Sequence, residues 1–154
     1  MLIRFWISLL LLGICVPDPA QLHGRVVAVA DGDTFTMLIE QEQVRVRLHG
    51  IDCPERGQDF SMAAKEFLSG LIFDRTVRVD KLSVDRYGRT IGIVYVDSVH
   101  VNEALLRAGL AWHYTYYDKN PAWSALEQEA REAKRGIWSL PDPLAPWEYR
   151  RWKN

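Results

Sequence analysis

Cysteine is nearly absent from this chain, with Cys15 and Cys53 the only two in 154 residues. A disulfide-stapled framework is therefore excluded, and so is a zinc site built on several thiolates. Four histidines occur, at positions 23, 49, 100 and 113, and no pair of them has metal-ligand spacing. Charge of either sign is not in excess: 19 Lys and Arg stand against 20 Asp and Glu, a net charge of −1. A protein that coats nucleic acid by bulk positive charge is thereby excluded, so any grip on phosphate must come from locally clustered arginines. Internal repeats and low-complexity segments are missing too. Long hydrophobic runs are also missing. The longest uncharged apolar stretch, "FWISLLLLGICV" from Phe5 to Val16, spans 12 residues, whereas a membrane-crossing helix needs about 20.

What is present at the amino terminus fits an export leader. Arg4 precedes that run, and "PDPAQ" follows it with the small residue Ala20. A positive flank, a short apolar core and a small residue before a polar start are the marks of a cleaved signal peptide. The reading is residues 1–20 as leader, 21–139 as one globular domain and 140–154 as an aromatic and basic tail. Removing residues 1–20 takes Arg4, Asp18 and Cys15 with it, so the net charge is unchanged and Cys53 is left alone. An exported domain of this kind must draw its stability from its core, and it is expected to act as a monomer without stable membrane association.

Beyond residue 20 the apolar pattern mostly has period two. "GRVVAVA" and "TFTMLIE" flank the Asp31-Gly32-Asp33 corner, and "VRVRLHGI" puts Val44, Val46 and Leu48 on one face with Arg45, Arg47 and His49 on the other. "RTVRVDKL" and "RTIGIVYVD" add two strands, joined through a turn that Gly88 can supply. Helical spacing appears in "SMAAKEFLSGLIF", with Ser61 as N-cap and Ala64, Phe67, Leu68, Leu71 and Ile72 in one stripe. Asn102 is the expected cap of a second helix over "EALLRAG", and Asn120-Pro121 opens a third that ends at Gly136. The tail, rich in proline, cannot be a long helix. Five strands and about three α-helices, with one helix inserted after the third strand, fit an α+β fold: a five-stranded OB-fold barrel.

Three separated stretches carry candidate chemistry. Asp33 and Asp52 both lie at the edges of strands that a meander sets side by side, so they can share one ion. Ligation by oxygen alone suits a hard cation such as calcium or magnesium. Glu55 follows Asp52 across the stiff Pro54 and is placed to orient or deprotonate a water molecule. Arg47 and Arg89 are candidates to clamp the charge of a phosphodiester transition state. Taken alone, Asp31-Gly32-Asp33 reads as a hairpin turn, and Arg45 as a solvated strand charge. A thiol nucleophile formed by Cys53 with His49 has no further support, and Trp112 and Trp138 are expected in the core. Trp147, Tyr149 and Trp152, interleaved with Arg150, Arg151 and Lys153, suit single-strand binding, although packing of the tail onto the barrel is the commoner outcome.

"VADGDTFTMLI", "VRVRLHGIDCPE", "DRYGRTIGIVYVD" and "VNEALLRAGLAW" occur in the order and approximate spacing of the staphylococcal nuclease family, the thermonuclease-like domains, which the chain resembles from about Gly24 to Trp138. That resemblance implies calcium held by Asp33, Asp52 and the backbone carbonyl of Cys53, with Asp31 matching a nearby acid outside the direct ligands. It implies Arg47, Glu55 and Arg89 as catalytic residues and Arg86, Tyr87 and Tyr117 as substrate-binding ones. Thr115 stands where the family has another nucleotide-contacting tyrosine, with Tyr114 and Tyr116 beside it as substitutes, and the loop from Glu55 to the first helix is shorter. The implied activity is calcium-dependent endonucleolytic hydrolysis of DNA or RNA with low sequence preference, leaving 3'-phosphate ends. The alternative is a non-catalytic OB-fold nucleic-acid-binding module or a cell-envelope protein.

Overall fold

The alternation that predicts a first strand from Gly24 extends three residues further toward the amino terminus. In the computed structural model, which describes residues 20–153, β1 runs Gln21–Val29, followed by β2 Thr34–Ile39, β3 Glu42–Leu48 and the two-residue β4 Ile51–Asp52. Helix α1 Ser61–Ile72 is followed by β5 Thr76–Val84, β6 Thr90–Val96 and β7 Val99–His100. Helix α2 Val101–Arg107, β8 Trp112–His113, α3 Pro121–Glu132, a 3-10 turn Gly136–Ser139 and α4 Pro146–Lys153 complete the chain. The proposed leader lies outside the described residues except for Ala20.

Five long strands build the barrel. Their order is β3-β2-β1-β5-β6, and β3 closes the sheet by pairing in parallel with β6 through Val46↔Thr90, Arg47↔Ile91 and Leu48↔Gly92. Irregular register in β1 between Val26 and Ala28, and in β5 between Lys81 and Ser83, marks where the strands bend enough to close, as bulges do. Inward positions are filled by Val26, Phe35, Met37, Val46, Val79, Val94 and Val96, all essentially inaccessible. The predicted faces of β3 hold: Val46 and Leu48 are buried, Arg45 is exposed and Arg47 is partly covered. This is the expected OB-type barrel with helices.

Helix starts depart from expectation in physical detail. Ser61 is not the N-cap of α1; Phe60 takes that place with φ 64, and no side chain caps the helix. Asn102 lies inside α2 instead of capping it. The cap is His100, whose Nδ1 accepts from Glu103 N. Asn102 is fully buried instead, accepting from Val94 N at 3.0 Å and donating to His49 O at 3.0 Å. Asn120 does cap α3, through Ala122 N. The described residues form four α-helices where about three are expected, because the tail forms α4. That helix begins on Pro146, and proline suits the first helical turn, where its missing N–H goes unused.

A second, smaller core joins the carboxyl-terminal half. Trp112, Ala130, Ile137, Trp138 and Ala145 are buried together, with Phe60 and Trp147 packed against them. Trp112 and Trp138 meet edge to face at 4.5 Å, and Arg131 lies 3.7 Å over the Trp138 ring. Trp147 extends the cluster outward by stacking on Tyr114, 4.8 Å between centroids and 10° between planes. The tail therefore packs onto this second core and is not a free arm. Among the described residues no helix is long and apolar enough to cross a membrane.

Candidate active site

Asp33 reaches the site because the corner before it is compressed. A Cβ on Gly32 would come within 2.7 Å of Ala64 Cβ and 2.8 Å of Cys53 Cβ, so only glycine lets this corner pack under α1 and the Cys53 segment. The corner is thus shaped by close approach and not by the left-handed backbone of a tight Asp-Gly hairpin; Gly32 is absent from the positive-φ residues. The tight β2–β3 turn lies instead at Glu40, with φ 54. Asp31 Oδ1 accepts from Asp33 N at 3.1 Å, fixing the second aspartate. Asp52 is set by β4, which pairs with β8 through Asp52↔Trp112 and Ile51↔His113.

Both aspartates are buried, at 5% and 1% exposure, and one guanidinium spans them. Arg47 pairs through Nη1 with Asp33 Oδ1 and through Nη2 with Asp52 Oδ1 at 2.8 Å. Asp33 Oδ2 also accepts from Cys53 N at 2.7 Å, and Oδ1 accepts from the Thr34 hydroxyl at 3.2 Å. Two buried carboxylates with no sulfur or imidazole donor offer oxygen alone, the donor type that hard divalent cations take; in this structure each of their oxygens is paired with a guanidinium, a hydroxyl or a backbone N–H. Among the described residues no three or more His, Cys, Asp or Glu side chains gather as a cage. A cation here would draw on Asp33, Asp52 and main-chain oxygen with water completing its shell.

Glu55 stands at the open side. Its backbone N–H donates to Gln58 Oε1 at 2.8 Å, which curls the Pro54–Gln58 loop and points the residue toward solvent at 39% side-chain exposure. Its carboxylate meets a partner that sequence reasoning placed only among tail residues. Arg150 of α4 donates through Nη1 to Glu55 Oε1 at 2.6 Å and to Asp52 Oδ1 at 3.3 Å, and through Nη2 to Asp52 Oδ2 at 2.9 Å. The site therefore contains two guanidinium groups against three carboxylates.

Arg89 is not brought into that cluster. Among the described residues its ion-pair partner is Asp85, at 2.8 Å from Nε, and the same aspartate accepts from the backbone N–H of Tyr87 and of Arg89 at 2.9 and 3.0 Å. Burial alone would raise the Asp85 carboxyl, but these hydrogen bonds and the Arg89 charge outweigh it and hold it below the ordinary carboxylate value. Gly88, with φ 76, turns the chain within this loop. Parallel pairing of β6 with β3 then carries Arg89 to the residue preceding Thr90, whose partner is Val46, next to Arg47 in β3. Asp85 opens the stretch "DRYGRTIGIVYVD", but sequence reasoning gave it no role of its own.

The substrate-binding candidates form exposed rims. Tyr87 is 64% exposed, with Arg86 and Arg89 lying over its ring at 4.9 and 5.5 Å. Tyr117, also 64% exposed, stands edge-on to Tyr114 and Tyr116. Tyr114 is stacked on Trp147 and so is not free to replace the absent tyrosine, whereas Tyr116 is open to solvent at 76%. This tyrosine loop is tied down by Asp118, which meets His113 Nε2 at 2.9 Å and His49 Nε2 at 3.3 Å. His113, in β8, is thus a buried tether. Cys53 is buried, and burial pushes its thiol well above the usual range, opposed only in part by Arg47. It is no nucleophile at neutral pH.

The family description "Staphylococcal nuclease homologue" matches residues 45–140 of this sequence. The chain belongs to the staphylococcal nuclease family. An Escherichia coli protein named "Uncharacterized endonuclease" is 44% identical over 85% of this chain and 86% of its own length. "Protein ParB" of Escherichia coli is 40% identical over 99% of this chain and 93% of that protein. "Micrococcal nuclease" of Shigella flexneri is 39% identical over 90% and 86% respectively. Residues 45–140 include Arg47, Asp52, Glu55 and Arg89, but Asp33 precedes them and α4 follows them.

Proposed function

We propose that the protein is a calcium-dependent endonuclease that hydrolyses DNA or RNA with little sequence preference and leaves 3'-phosphate ends. Membership of its family makes it a nuclease, a hydrolase of phosphodiester bonds. The observation that carries the finer reading is the convergence of Arg47, Asp33, Asp52 and Glu55 on one open-sided cluster. Asp33 and Asp52, with the Cys53 carbonyl, would hold Ca²⁺, which supplies fixed positive charge against the phosphate. Arg47 is locked in place by the two aspartates and offers its remaining N–H groups to a phosphate oxygen. Glu55, on the solvent side, takes a proton from water as the water oxygen bonds to phosphorus. The bond from phosphorus to the 5'-oxygen breaks, and that oxygen takes a proton from solvent water and leaves as a hydroxyl. Arg89, held by Asp85, adds a planar donor to the charge that gathers in the transition state.

Plasmid and single-stranded substrates incubated with calcium, and separately after exhaustive chelation, test this reading. Cleavage is expected only with the metal. Undiminished cleavage after chelation would overturn the metal assignment. Export is part of the same proposal and rests on Arg4 and the 12-residue apolar run. Protein recovered outside the cytoplasm should have a mass that places its first residue near position 21, and an intact Met1 in cytoplasmic protein would rule export out. A non-catalytic module is the weaker reading, because Arg47, Glu55 and Arg89 are all retained.

A further inference from the structure

The tail beyond residue 140 lies outside the residues that the family description matches, yet one of its side chains lies on the carboxylates of the site. Helix α4 is fixed to do this. Ala145 and Pro146 are buried at its start, Trp147 stacks on Tyr114, and Leu144 O accepts from Gln58 Nε2 at 3.0 Å. Gly57 leaves room for the Tyr149 hydroxyl, which would stand 2.9 Å from a Cβ at that position. The helix is thus bound to both the Pro54–Gln58 loop and the tyrosine loop. It forms a wall of the site.

We propose that Arg150 is a third active-site guanidinium that binds a phosphate of the nucleic-acid substrate, and that α4 forms the wall of the groove receiving the adjoining nucleotide; this rests on the nuclease reading. A cleft of about 270 Å³ opens there, lined by Glu55, Arg56, Tyr149, Arg150 and Lys153. Arg56, Arg150 and Lys153 bring three positive charges to that cleft against Glu55, and Tyr149 brings an aromatic face. This is the composition of a single-strand groove. Arg150 spends three N–H···O contacts on Asp52 and Glu55, all through Nη1 and Nη2. A guanidinium has five N–H groups, so two remain, on a side chain that is 39% exposed. They are available to an incoming phosphate without breaking the tie to Asp52. A phosphate held there that also competes for Nη1 displaces Glu55 Oε1, the one contact of Arg150 outside the Asp52 pair, and frees the Glu55 carboxylate to take the proton of water. Arrival of substrate and release of the base are then one event. A removable plug would need a loosely held carrier, and the buried start of α4 and its aromatic stack argue against that.

The test compares Arg150→Gln, Arg150→Lys and Arg151→Gln in the full chain, measuring kcat and KM with calcium and equilibrium binding of a short single-stranded DNA at fixed salt. Arg151 is exposed on the same helix and controls for bulk charge. Arg150→Gln is expected to lose roughly 10- to 100-fold in kcat/KM, the range for one charged hydrogen bond, with weaker DNA binding. Arg150→Lys should recover only part of this, since a point charge lacks the planar fork. Arg151→Gln should lie within about two-fold of the parent, as an exposed charge contributes little. Near-ultraviolet circular dichroism of each variant confirms that the Trp147–Tyr114 stack persists. An increase in rate for Arg150→Gln would make Arg150 an inhibitory plug and overturn the proposal. Equal losses in Arg150→Gln and Arg151→Gln, or no loss in either while the parent cleaves, would overturn it as well. A parent that never cleaves fails the nuclease reading itself.

Discussion

Glu55 differs from the other acids of the cluster in being half open to solvent while Asp33 and Asp52 are buried. That difference separates the roles of three chemically similar groups. Buried carboxylates bridged by a guanidinium are held in position, whereas one facing the cleft can meet water. Glu55→Gln keeps side-chain length and hydrogen-bonding reach but cannot accept the proton. Turnover is expected to fall by roughly 100- to 10,000-fold, the usual range for loss of a general base. Binding of single-stranded DNA should persist or tighten, because the substitution removes repulsion of phosphate and loosens the hold of Glu55 on Arg150. Single-turnover cleavage and equilibrium binding on the same preparation check both halves, and parent-like turnover would reduce Glu55 to a loop residue. At this scale the sequence is legible where chemistry sits in a motif: Asp33, Arg47, Asp52 and Glu55 do converge. Arg150 was not legible as part of the site, because a pair spanning 98 residues leaves no trace in local spacing.

Elements were legible where burial follows the backbone period. The alternation in β6 is strict, and β3 divides its valines and arginines as expected. Caps were less so, since the sequence offers polar residues beside apolar runs and the structure chose otherwise. The αL backbone of Phe60 replaced Ser61, and the His100 ring replaced Asn102, whose amide was needed inside to satisfy Val94 N–H and His49 C=O. The loop between β5 and β6 shows what such local bonds achieve. Asp85 Oδ1 holds the turn through two backbone N–H groups, and Oδ2 holds Arg89 Nε. Asp85→Asn keeps an oxygen for the turn and loses the charged contact, so the fold should survive while Arg89 wanders. A loss of about 10-fold or more in kcat/KM is expected, as misplacement of a positioned group costs that much, with little change in melting temperature. Because the folded carboxyl titrates below its ordinary value, the loop's contribution is fully present above about pH 4 and fades as pH falls through the lower folded value. Amide exchange at Tyr87 and Arg89 should quicken in that acid window in the parent and at all pH values in Asp85→Ala. Uniform protection in both proteins would show the turn to be held by other means.

For the whole molecule, the near balance of charge decides how it meets a polyanion. A net charge of −1 supplies no general attraction, and the second core spends Arg131 on the Trp138 ring rather than on solvent. Arginines are brought to the site from separate elements: Arg47 from β3 and Arg150 from α4 lie on its carboxylates, while Arg86 and Arg89 stand on the β5–β6 loop beside Tyr87. This placement depends on the parallel β3–β6 closure and on the aromatic docking of the tail, so it is a property of the fold and not of composition. Affinity should then depend on salt as it does for a few discrete phosphate contacts. Each neutralised phosphate of a single strand contributes about −0.7 to the slope of log K against log salt. Three or four contacts predict a slope between about −2 and −3, measured on Glu55→Gln so that the strand survives, at constant calcium while the monovalent salt is varied. Arg150→Gln added to that background should make the slope shallower by about 0.7, whereas Arg151→Gln should leave it unchanged. A slope steeper than about −5 would mean that basic residues spread over the surface carry the binding, and that Arg47, Arg86, Arg89 and Arg150 are not what hold the strand.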